Sequence, residues 1–521
     1  MKIIFKDTGL EADLVKGKTI LSYLQELGID IDAACGGEGK CGQCLVEVDS
    51  PPGALSERTE AEGKFLHNDS DRLACQATIV KTDEPVYVHI PRRSYCVLET
   101  GEFWKIPIEP FVHCEGGRVF YDSEDIGEYT GKLCGIALDI GTTTLVMYLV
   151  DLETGAVLSV ISRENPQTKY GNNVISRIEF ARTGRELLER EIRIAVNELI
   201  CDLIRPREVS DIVVVGNTVM RDLFFGYPVE SLGVSPYEPL SVTATHKNAK
   251  ELKLVVPPTV TIHGLPLIGS FIGADALAAV LATAMYQREK ISMMIDIGTN
   301  TEIVLGNKDR LIATSCAAGP AFEGCSVRYG IGSVSGAINE VKLEHGEVRL
   351  KTIHHAKPKG ICGSGLIDAL AELLENRIIN GRGKFYGDKK EFEVAEGISL
   401  SEKDIDQLNL AKSAVAIGIK VLMERYGIEL DAIDRIFLAG GFGYFTNVEN
   451  AMRIGLLPRI DHKKVDKVGN AAVEGARQAL VSKTKRRDAE AVAKRIEHIK
   501  LEDLENFHEQ FIGELYFKNY L

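Results

Sequence analysis

Three cysteines stand close together near the start of the chain, in the stretch ACGGEGKCGQC. Cys35, Cys41 and Cys44 have the spacing C-x5-C-x2-C, and Cys75 follows after 30 further residues. Thiolates at such spacing can ligate zinc or an iron–sulfur cluster, or they can pair as disulfides. A zinc ribbon more often has two C-x2-C pairs, and the glycines between these cysteines let backbone N–H groups point at bound sulfides. The pattern predicts that all four cysteines ligate an iron–sulfur cluster, with zinc as the alternative.

A second group of residues suited to chemistry lies in two similar hairpins. In each, an apolar strand ends at an aspartate and a D-I-G-T turn follows, and the two copies are 157 residues apart. Backbone N–H groups and hydroxyls of such a turn can bind phosphoryl oxygens while the aspartate organises Mg²⁺. No Walker A pattern occurs. The predicted residues are Asp139, Gly141, Thr142, Thr143 and Thr144 in the first hairpin and Asp296, Gly298, Thr299, Asn300 and Thr301 in the second.

A glycine-rich turn forms the third candidate site. The stretch IDRIFLAGGFGYFTN, residues 433–447, has the pattern of a buried strand that ends at Gly440 and Gly441. Glycines at a strand end let a flat ring approach the backbone closely. We therefore expect this turn to bind the adenosine part of a nucleotide.

The segments around the cysteines are expected to hold them in a small sheet. MKIIFKD and ADLVKG are typical of a hairpin, TILSYLQELGI of an amphipathic helix, and CLVEV and VYVHI of further strands. This is the plan of a β-grasp fold. The spacing has one residue more than that of plant-type ferredoxins, so the segment resembles the adrenodoxin-like branch of [2Fe–2S] ferredoxins. The resemblance implies a [2Fe–2S] cluster on the four cysteines.

Composition excludes several classes of function. The chain has 521 residues, 61 of them basic and 75 acidic, for a formal charge of −14. A field of that sign repels nucleic acid and anionic membranes, so neither is a predicted partner. The N-terminal residues lack the apolar core of a secretory signal, which indicates a cytoplasmic protein. In that compartment most cysteines are reduced, and disulfides are therefore not expected.

The two hairpins indicate an internal duplication, because strand and helix patterns follow each of them. Two similar lobes would face each other across a cleft. The order of hairpin, hairpin and glycine-rich strand end resembles the superfamily of acetate and sugar kinases, heat-shock chaperones and actin. The resemblance implies ATP and Mg²⁺ in the cleft. Three ordinary strand–turn corners are the structural alternative.

Nearly the whole chain resembles the reductive activators of corrinoid proteins, in which a ferredoxin domain precedes an ATPase of this superfamily. The resemblance implies an ATP-hydrolysing iron–sulfur reductase that returns inactive Co(II) corrinoid to Co(I) for methyl transfer. It rests on the pairing of the two modules and on the segments YGNNVISRI (170–178), VVGNTVMRDLF (214–224), GADALAAVLA (273–282), AAGPAFEG (317–324), GICGSGLIDAL (360–370), GNAAVEGA (469–476) and the ending ENFHEQFIGELYF.

The predicted fold class is multidomain, α+β and α/β, with a β-grasp ferredoxin domain, a linker and a duplicated two-lobe actin-like ATPase. The predicted boundaries are 1–90 for the ferredoxin-like domain, 91–132 for a linker or small docking region, 133–290 for the first lobe, 291–482 for the second lobe and 483–521 for a charged C-terminal tail.

The resemblance also implies a partner, namely the corrinoid protein of a methyltransferase system. The sequence identifies neither the upstream electron donor nor the methyl donor, and it leaves a homodimer open. Two other functions remain as alternatives. One is a redox-sensing small-molecule kinase, which needs phosphate to reach a substrate hydroxyl. The other is a plain ferredoxin-type electron-transfer subunit whose second half only binds nucleotide.

Several further features are interpreted as structural. RSYC (93–96) differs from the R-x-Y-S flavin signature at Cys96 and is interpreted as a chance match. GADALAAVLATAMY is expected to be a core helix, and the charged run at 482–495 a solvated helix face. His354 and His355 are expected in an exposed loop, because adjacent residues rarely converge on one metal.

Overall fold

The computed structural model describes most of the chain. Cys35, Cys41 and Cys96 lie outside the described residues, so the predictions that concern them have no structural counterpart here. The described residues are 1–6, 9–27, 29, 31, 39, 44–62, 66, 70–89, 106–171, 173–324 and 326–517, without the side chains of Phe442 and Glu502.

The N-terminal residues form a five-stranded mixed sheet with one helix. Its strand order is β2-β1-β5-β3-β4, with β1 parallel to β5. Ile3 and Phe5 alternate along β1 and pack with Ile20 and Leu24 of the helix, because side chains on one strand face recur every second residue. The predicted β-grasp plan is confirmed. The elements are β1 (Lys2–Phe5), β2 (Glu11–Asp13), α1 (Ile20–Glu26), β3 (Leu45–Asp49), β4 (Asp71–Leu73) and β5 (Val86–His89).

Part of the region expected to be a linker or small docking region, residues 91–132, forms a three-stranded antiparallel sheet. Its strands are β6 (Val112–Glu115), β7 (Arg118–Tyr121) and β8 (Glu124–Glu128). Phe111 and Tyr121 stack with ring centroids 5.3 Å apart. The Arg486 guanidinium lies 4.5 Å from the Phe111 ring, and its Nη1 donates to the Tyr121 hydroxyl at 2.9 Å. These contacts attach the small sheet to the C-terminal part of the chain.

The first lobe is built on a six-stranded sheet with the order β11-β10-β9-β12-β14-β13. Strands β9 to β11 are antiparallel, while β12 runs parallel to both β9 and β14. The elements are β9 (Cys134–Ile140), β10 (Thr144–Asp151), β11 (Val157–Glu164), α2 (Val174–Leu203), β12 (Val209–Gly216), α3 (Thr218–Phe225), β13 (Thr245–Asn248), α4 (Ala249–Leu252), β14 (Thr261–Gly264) and α5 (Ala274–Thr283).

The second lobe contains a six-stranded sheet and two smaller ones, β19-β18-β20 and β21-β22. None of the described helices, in either lobe or in the N-terminal domain, has the length and apolar content needed to cross a bilayer. The elements are β15 (Ser292–Ile297), β16 (Thr301–Gly306), β17 (Leu311–Cys316), β18 (Ala337–Glu344), β19 (Glu347–Thr352), β20 (Gly360–Ile361), α6 (Gly363–Glu375), β21 (Glu391–Ala395), β22 (Ile398–Ser401), α7 (Glu402–Tyr426), β23 (Arg435–Ala439), α8 (Gly441–Phe445), α9 (Val448–Arg453), β24 (Val465–Gly469), α10 (Ala471–Val481), α11 (Lys483–Ala493), β25 (Ile496–His498) and α12 (Phe507–Glu514).

The two large sheets repeat one topology. The second has the order β24-β23-β15-β16-β17-β25, so an antiparallel trio is flanked by two parallel strands as in the first. In both sheets the D-I-G-T turn joins the first two strands of the trio. The predicted duplication and two-lobe ATPase fold are confirmed.

Helices α5 and α10 lie between the two large sheets. One buried cluster contains Ala137 and Val213 of the first sheet, Leu277 of α5, Val473 of α10 and Met294 of the second sheet. The buried faces of both helices are rich in alanine. The prediction of a core helix at GADALAAVLATAMY is confirmed, since nearly every residue of α5 is buried.

The C-terminal residues differ from the expected charged tail. Strand β25 adds to the edge of the second sheet beside β17, and α12 packs on α7, where Lys412 Nζ donates to the Glu514 carbonyl oxygen at 2.5 Å. Lys485 and Arg486 of α11 are buried while Thr484, Arg487 and Glu490 are exposed, so the charged run forms a solvated face on one side of the helix only. The physical reason is a partner distant in sequence: Arg486 Nη2 forms an ion pair with Asp211 Oδ2 at 2.6 Å.

Candidate functional site

Two of the four cysteines predicted to ligate the cluster, Cys44 and Cys75, are among the described residues. Cys44 directly precedes β3 and Cys75 follows β4, and these strands pair with Leu45 opposite Leu73. The Ala74 N–H donates to the Cys44 carbonyl oxygen at 2.7 Å, which closes this end of the strand pair. Both thiols are buried. The fold thus brings two soft donors to one end of the sheet, as an iron–sulfur cluster requires.

An amide side chain accompanies the second of these thiols. Gln76 Nε2 donates to Cys75 Sγ at 3.4 Å. Hydrogen bonds to a ligating sulfur stabilise the charge on it and are one of the means by which a protein sets a cluster potential.

The first hairpin follows the end of β9. Its Gly141 N–H donates to the Thr144 carbonyl oxygen at 2.9 Å, which closes the turn. A Cβ on Gly141 would lie 2.6 Å from that same oxygen, so glycine is needed at this position. The turn leaves Thr142 and Thr143 partly exposed beside Asp139.

Three polar side chains support the first hairpin from behind. Asn165 Nδ2 donates to the Gly141 carbonyl oxygen at 2.8 Å, and Asn217 Nδ2 donates to Thr142 Oγ1 at 2.9 Å. Arg177 Nη2 donates to the Thr142 carbonyl oxygen, and the whole Arg177 side chain is buried. Burial lowers the pKa of Arg177 to about 10, so the guanidinium stays charged at neutral pH. The hairpin is therefore held rigidly with a positive charge directly behind it.

The second hairpin is surrounded by different groups. Asp296 of β15 lies opposite Glu302 of β16, and Glu302 accepts a hydrogen bond from Ser315 Oγ at 3.2 Å. Gly440 at the end of β23 has a φ of +86°, and a Cβ there would lie 2.7 Å from Asp296 Oδ1. The glycine-rich strand end predicted to bind adenosine thus directly adjoins the second aspartate. Thr301 is fully buried.

Glu323 lies between the two hairpins. Its Oε1 accepts from Thr299 Oγ1 at 2.8 Å, and its Oε2 accepts from Thr143 Oγ1 at 3.5 Å. One carboxylate therefore contacts a hydroxyl of each lobe.

The cleft has an acidic floor, in which Glu302 is buried and Asp139, Asp275 and Asp296 are partly exposed. Burial, followed by the nearby charge of Asp275, raises the pKa of Asp139 to about 8 and that of Asp296 to about 7. Burial raises the pKa of Asp275 to about 6 and holds the pKa of Glu302 well above its ordinary value. No lysine or arginine among the described residues forms an ion pair with any of the four. Such a set is costly to ionise without a bound cation, although no group of three or more described His, Cys, Asp or Glu residues is placed to hold a metal ion.

The structure brings the predicted aspartates together and adds residues that the sequence did not single out. Asp139 and Asp296 are close enough for the charge of Asp296 to raise the pKa of Asp139, and Asn470 Nδ2 donates to Asp139 Oδ2 at 3.1 Å. The residues missed are Asn165, Arg177, Asn217, Asp275, Glu302, Glu323 and Asn470. A polar residue inside an apolar or small-residue stretch, such as Asp275 in GADALAAVLA or Glu323 in AAGPAFEG, was the available signal.

The prediction that His354 and His355 both lie in an exposed loop is wrong for one of them. His355 is exposed as expected, but His354 is buried. Its carbonyl oxygen accepts a hydrogen bond from Gln25 Nε2 of the N-terminal domain at 2.8 Å. This segment is therefore a point of contact between the N-terminal domain and the second lobe.

Three family models match the chain. The model described as the 2Fe-2S iron-sulfur cluster binding domain matches residues 3–80. The RACo middle region matches residues 134–288, and the C-terminal domain of RACo, the ASKHA domain, matches residues 290–520. ASKHA denotes the actin-like ATPase superfamily. These matches support a [2Fe–2S] cluster in the N-terminal domain and nucleotide binding by the two lobes.

Relatives that match most or nearly all of the chain agree with the family models. The chain is 29% identical to the corrinoid activation enzyme RamQ of Eubacterium limosum, over 98% of each chain. It is 28% identical to the [Co(II) methylated amine-specific corrinoid protein] reductase of Methanosarcina barkeri, over 73% of this chain and 76% of that one. The solved structure of a reductive activator for corrinoid, iron-sulfur protein superposes with a TM-score of 0.72 at 29% identity, covering 99% of this chain and 98% of that one.

Proposed function

Since the chain belongs to the family of reductive activators of corrinoid proteins, we propose that it uses ATP to reduce the inactive Co(II) corrinoid of a partner protein to Co(I). The observation that carries the proposal is the combination of two sites in one chain. A ferredoxin fold gathers buried cysteine thiols, and a two-lobe ATPase fold gathers two aspartate hairpins around one cleft.

The N-terminal domain would hold the redox group. Cys44 and Cys75 lie at one end of the β3–β4 pair, and we infer that Cys35 and Cys41 complete the ligand set. When bound, the cluster supplies the single electron that the reaction needs. The buried surroundings of Cys44 and Cys75 exclude water from that side of the ligands, while Gln76 places an amide donor on the Cys75 sulfur.

The cleft between the lobes would bind ATP and Mg²⁺. The phosphate groups are assigned to the two hairpins, through Gly141 and Thr142 to Thr144 and through Gly298 to Thr301. Asp139 and Asp296 would hold Mg²⁺, which also relieves the cost of ionising them. Gly440 and Gly441 leave room for the adenosine part. Arg177, behind the first hairpin, stabilises negative charge on the phosphates through the hairpin backbone.

ATP is needed because reduction to Co(I) is uphill from ordinary donors. For a one-electron step, a potential gap of about 200 mV costs roughly 4–5 kcal/mol. A nucleotide cycle can cover that cost if the activator binds the corrinoid protein differently in its two nucleotide states. We further propose a methyltransferase system as the source of the partner, a low-potential electron donor upstream, and the cytoplasm as the compartment. A homodimer is compatible with this scheme.

The test combines the chain with a Co(II) corrinoid protein, a chemical reductant and MgATP. We expect Co(I) to form only when ATP is present, and ATP consumption to rise when the corrinoid protein is added. Cys44→Ser and Cys75→Ser should each lose the cluster spectrum and the reduction but keep ATP hydrolysis, because the ATPase cleft lies in other domains.

The matched control is Cys362→Ser, which changes a buried thiol in the second lobe and should leave the cluster spectrum and the reduction intact. Reduction at the same rate without ATP would contradict the proposal and favour a plain electron-transfer subunit. Phosphate transfer to a small molecule without any corrinoid protein would favour the kinase.

A further inference from the structure

The position of Glu323 between the two hairpins is not explained by phosphate binding. A carboxylate repels phosphate oxygens, yet this one accepts hydrogen bonds from Thr299 and Thr143, which flank the place assigned to the phosphates. Among the described residues, no lysine or arginine forms an ion pair with it. The carboxylate is therefore a negative group with free acceptor capacity at the edge of a phosphate site.

The backbone around Glu323 fixes this position. Residues Pro320–Glu323 form one turn of 3₁₀ helix, and the Gly319 N–H donates to the Thr299 carbonyl oxygen at 2.9 Å. The turn ends at Gly324, where φ is +85° and a Cβ would lie 2.6 Å from the Ile331 nitrogen. Glu323 is thus tied to the second hairpin through the main chain as well as through its side chain.

The hydrogen bonds also define what Glu323 can do. A threonine hydroxyl has one hydrogen, so a hydroxyl that donates to Glu323 cannot donate to a phosphate at the same time. The phosphate oxygens would then be held mainly by backbone N–H groups. Burial raises the pKa of Glu323 above the ordinary value of a glutamate, which makes the carboxylate a better proton acceptor.

We propose that Glu323 is the general base of ATP hydrolysis in this cleft. A water molecule held by Glu323 attacks the terminal phosphorus, and a new P–O bond forms. The bond between that phosphorus and the bridging oxygen breaks, ADP leaves with the electron pair, and the proton of the water passes to Glu323 and then to the product phosphate. The inference rests on the proposed function, since it assigns a residue to the ATP hydrolysis that function requires.

The other acidic residues of the cleft are less suited to this role. Asp139 and Asp296 stand at strand ends where a metal ion would hold them, and Glu302 accepts a hydrogen bond from Ser315 on the floor of the cleft. Of the carboxylates that the structure describes, Glu323 alone contacts hydroxyls of both hairpins.

The test compares Glu323→Gln, Glu323→Ala and the control Glu372→Gln in the full chain carrying its cluster. Glu372 is another glutamate of the second lobe; it is buried and accepts from the Leu343 N–H at 2.9 Å on the α6 side, away from the hairpins. We expect Glu323→Gln to lower kcat for ATP by roughly 10²- to 10⁴-fold while ATP affinity changes by less than about threefold, because glutamine keeps an acceptor oxygen but takes up no proton. Glu372→Gln should keep the kcat of the unaltered chain.

Added formate separates a base from a structural residue. A small carboxylate can occupy the space left in Glu323→Ala, so added formate should raise the kcat of that variant at least about tenfold. Formate should not change the kcat of Glu323→Gln, where the amide fills the space. A kcat of Glu323→Gln within about fivefold of the original, a parallel loss of ATP affinity, or no response of Glu323→Ala to formate would overturn the inference. If the unaltered chain hydrolyses ATP but never reduces Co(II), the proposed function fails while the assignment of Glu323 is still tested.

Discussion

The two hairpins share the D-I-G-T pattern and the same place in their sheets, but they differ in what surrounds them. The first is held by amide and guanidinium side chains, Asn165, Arg177 and Asn217. The second is surrounded by carboxylates, Glu302 and Glu323, and by a glycine strand end. The two hairpins therefore have the same place in their sheets, but the charges of the side chains around them differ. The first hairpin has a buried cation behind it, and the second has two additional carboxylates beside it.

The largest expected effect on ATP hydrolysis comes from replacing the aspartate of either hairpin, and the two replacements should have similar effects. Asp139→Asn and Asp296→Asn should each lower kcat for MgATP by about 10³-fold, because each change removes a charged Mg²⁺ donor from the cleft. The [2Fe–2S] cluster should remain reducible by a chemical donor, and corrinoid activation should fail. Full activation by either variant would contradict the assignment of its hairpin to ATP turnover.

The same substitutions should raise stability when Mg²⁺ and nucleotide are absent. Folding raises the pKa of Asp139 from about 4 to about 8, so the native state binds more protons than the unfolded state between these values, and stability falls as pH rises through that window. Asparagine removes this cost. In EDTA, we expect Asp139→Asn to melt at the same temperature as the original chain near pH 4, and to gain on the order of 1–3 kcal/mol by pH 8. Thermal melts across pH would check the sign.

The next largest expected effect is on stability and ATP binding, and it should distinguish the first hairpin from the second. Arg177→Met removes the buried cation behind the first hairpin and leaves the Thr142 and Gly171 carbonyl groups without their donor. We expect about 3 kcal/mol of lost stability and at least tenfold weaker ATP binding, with the cluster spectrum unchanged. Denaturant unfolding and ATP titration would measure both. Unchanged ATP affinity in a folded variant would mean that the first hairpin does not depend on this charge.

The smallest effect should come from one amide of the first hairpin. Asn217 donates to Thr142 Oγ1 and also accepts from the Met220 N–H as the N-cap of α3. Asn217→Ser keeps a capping oxygen but loses the donor to Thr142. ATP affinity should fall about five- to tenfold, which corresponds to about 1 kcal/mol, while the melting temperature changes little. A large loss of stability with unchanged affinity would assign Asn217 to the helix cap alone.

The sequence predicted the parts of this site that are local in the chain. Asp139, Asp296 and Gly440 each stand where an apolar strand stops, and that pattern is visible within about ten residues. Arg177, Asp275 and Glu323 reach the cleft from helices or turns whose placement depends on how the sheets pack, so no local pattern reveals their partners. Arg486 is a further residue whose partner could not be predicted from the local sequence. Its charged neighbours predicted a solvated helix face, but Arg486 is buried in an ion pair with Asp211, which is distant in sequence.

The contact between α5 and α10 constrains the motion of the two lobes relative to each other. A Cβ on Gly475 would lie 1.9 Å from the Ala278 carbonyl oxygen, so the two helices touch backbone to backbone between the sheets. Packed helices can make small sliding motions, and we expect the two lobes to move in this way during the nucleotide cycle. Any side chain at position 475 would push α5 and α10 apart, and we expect Gly475→Ala to hinder this motion without touching either hairpin.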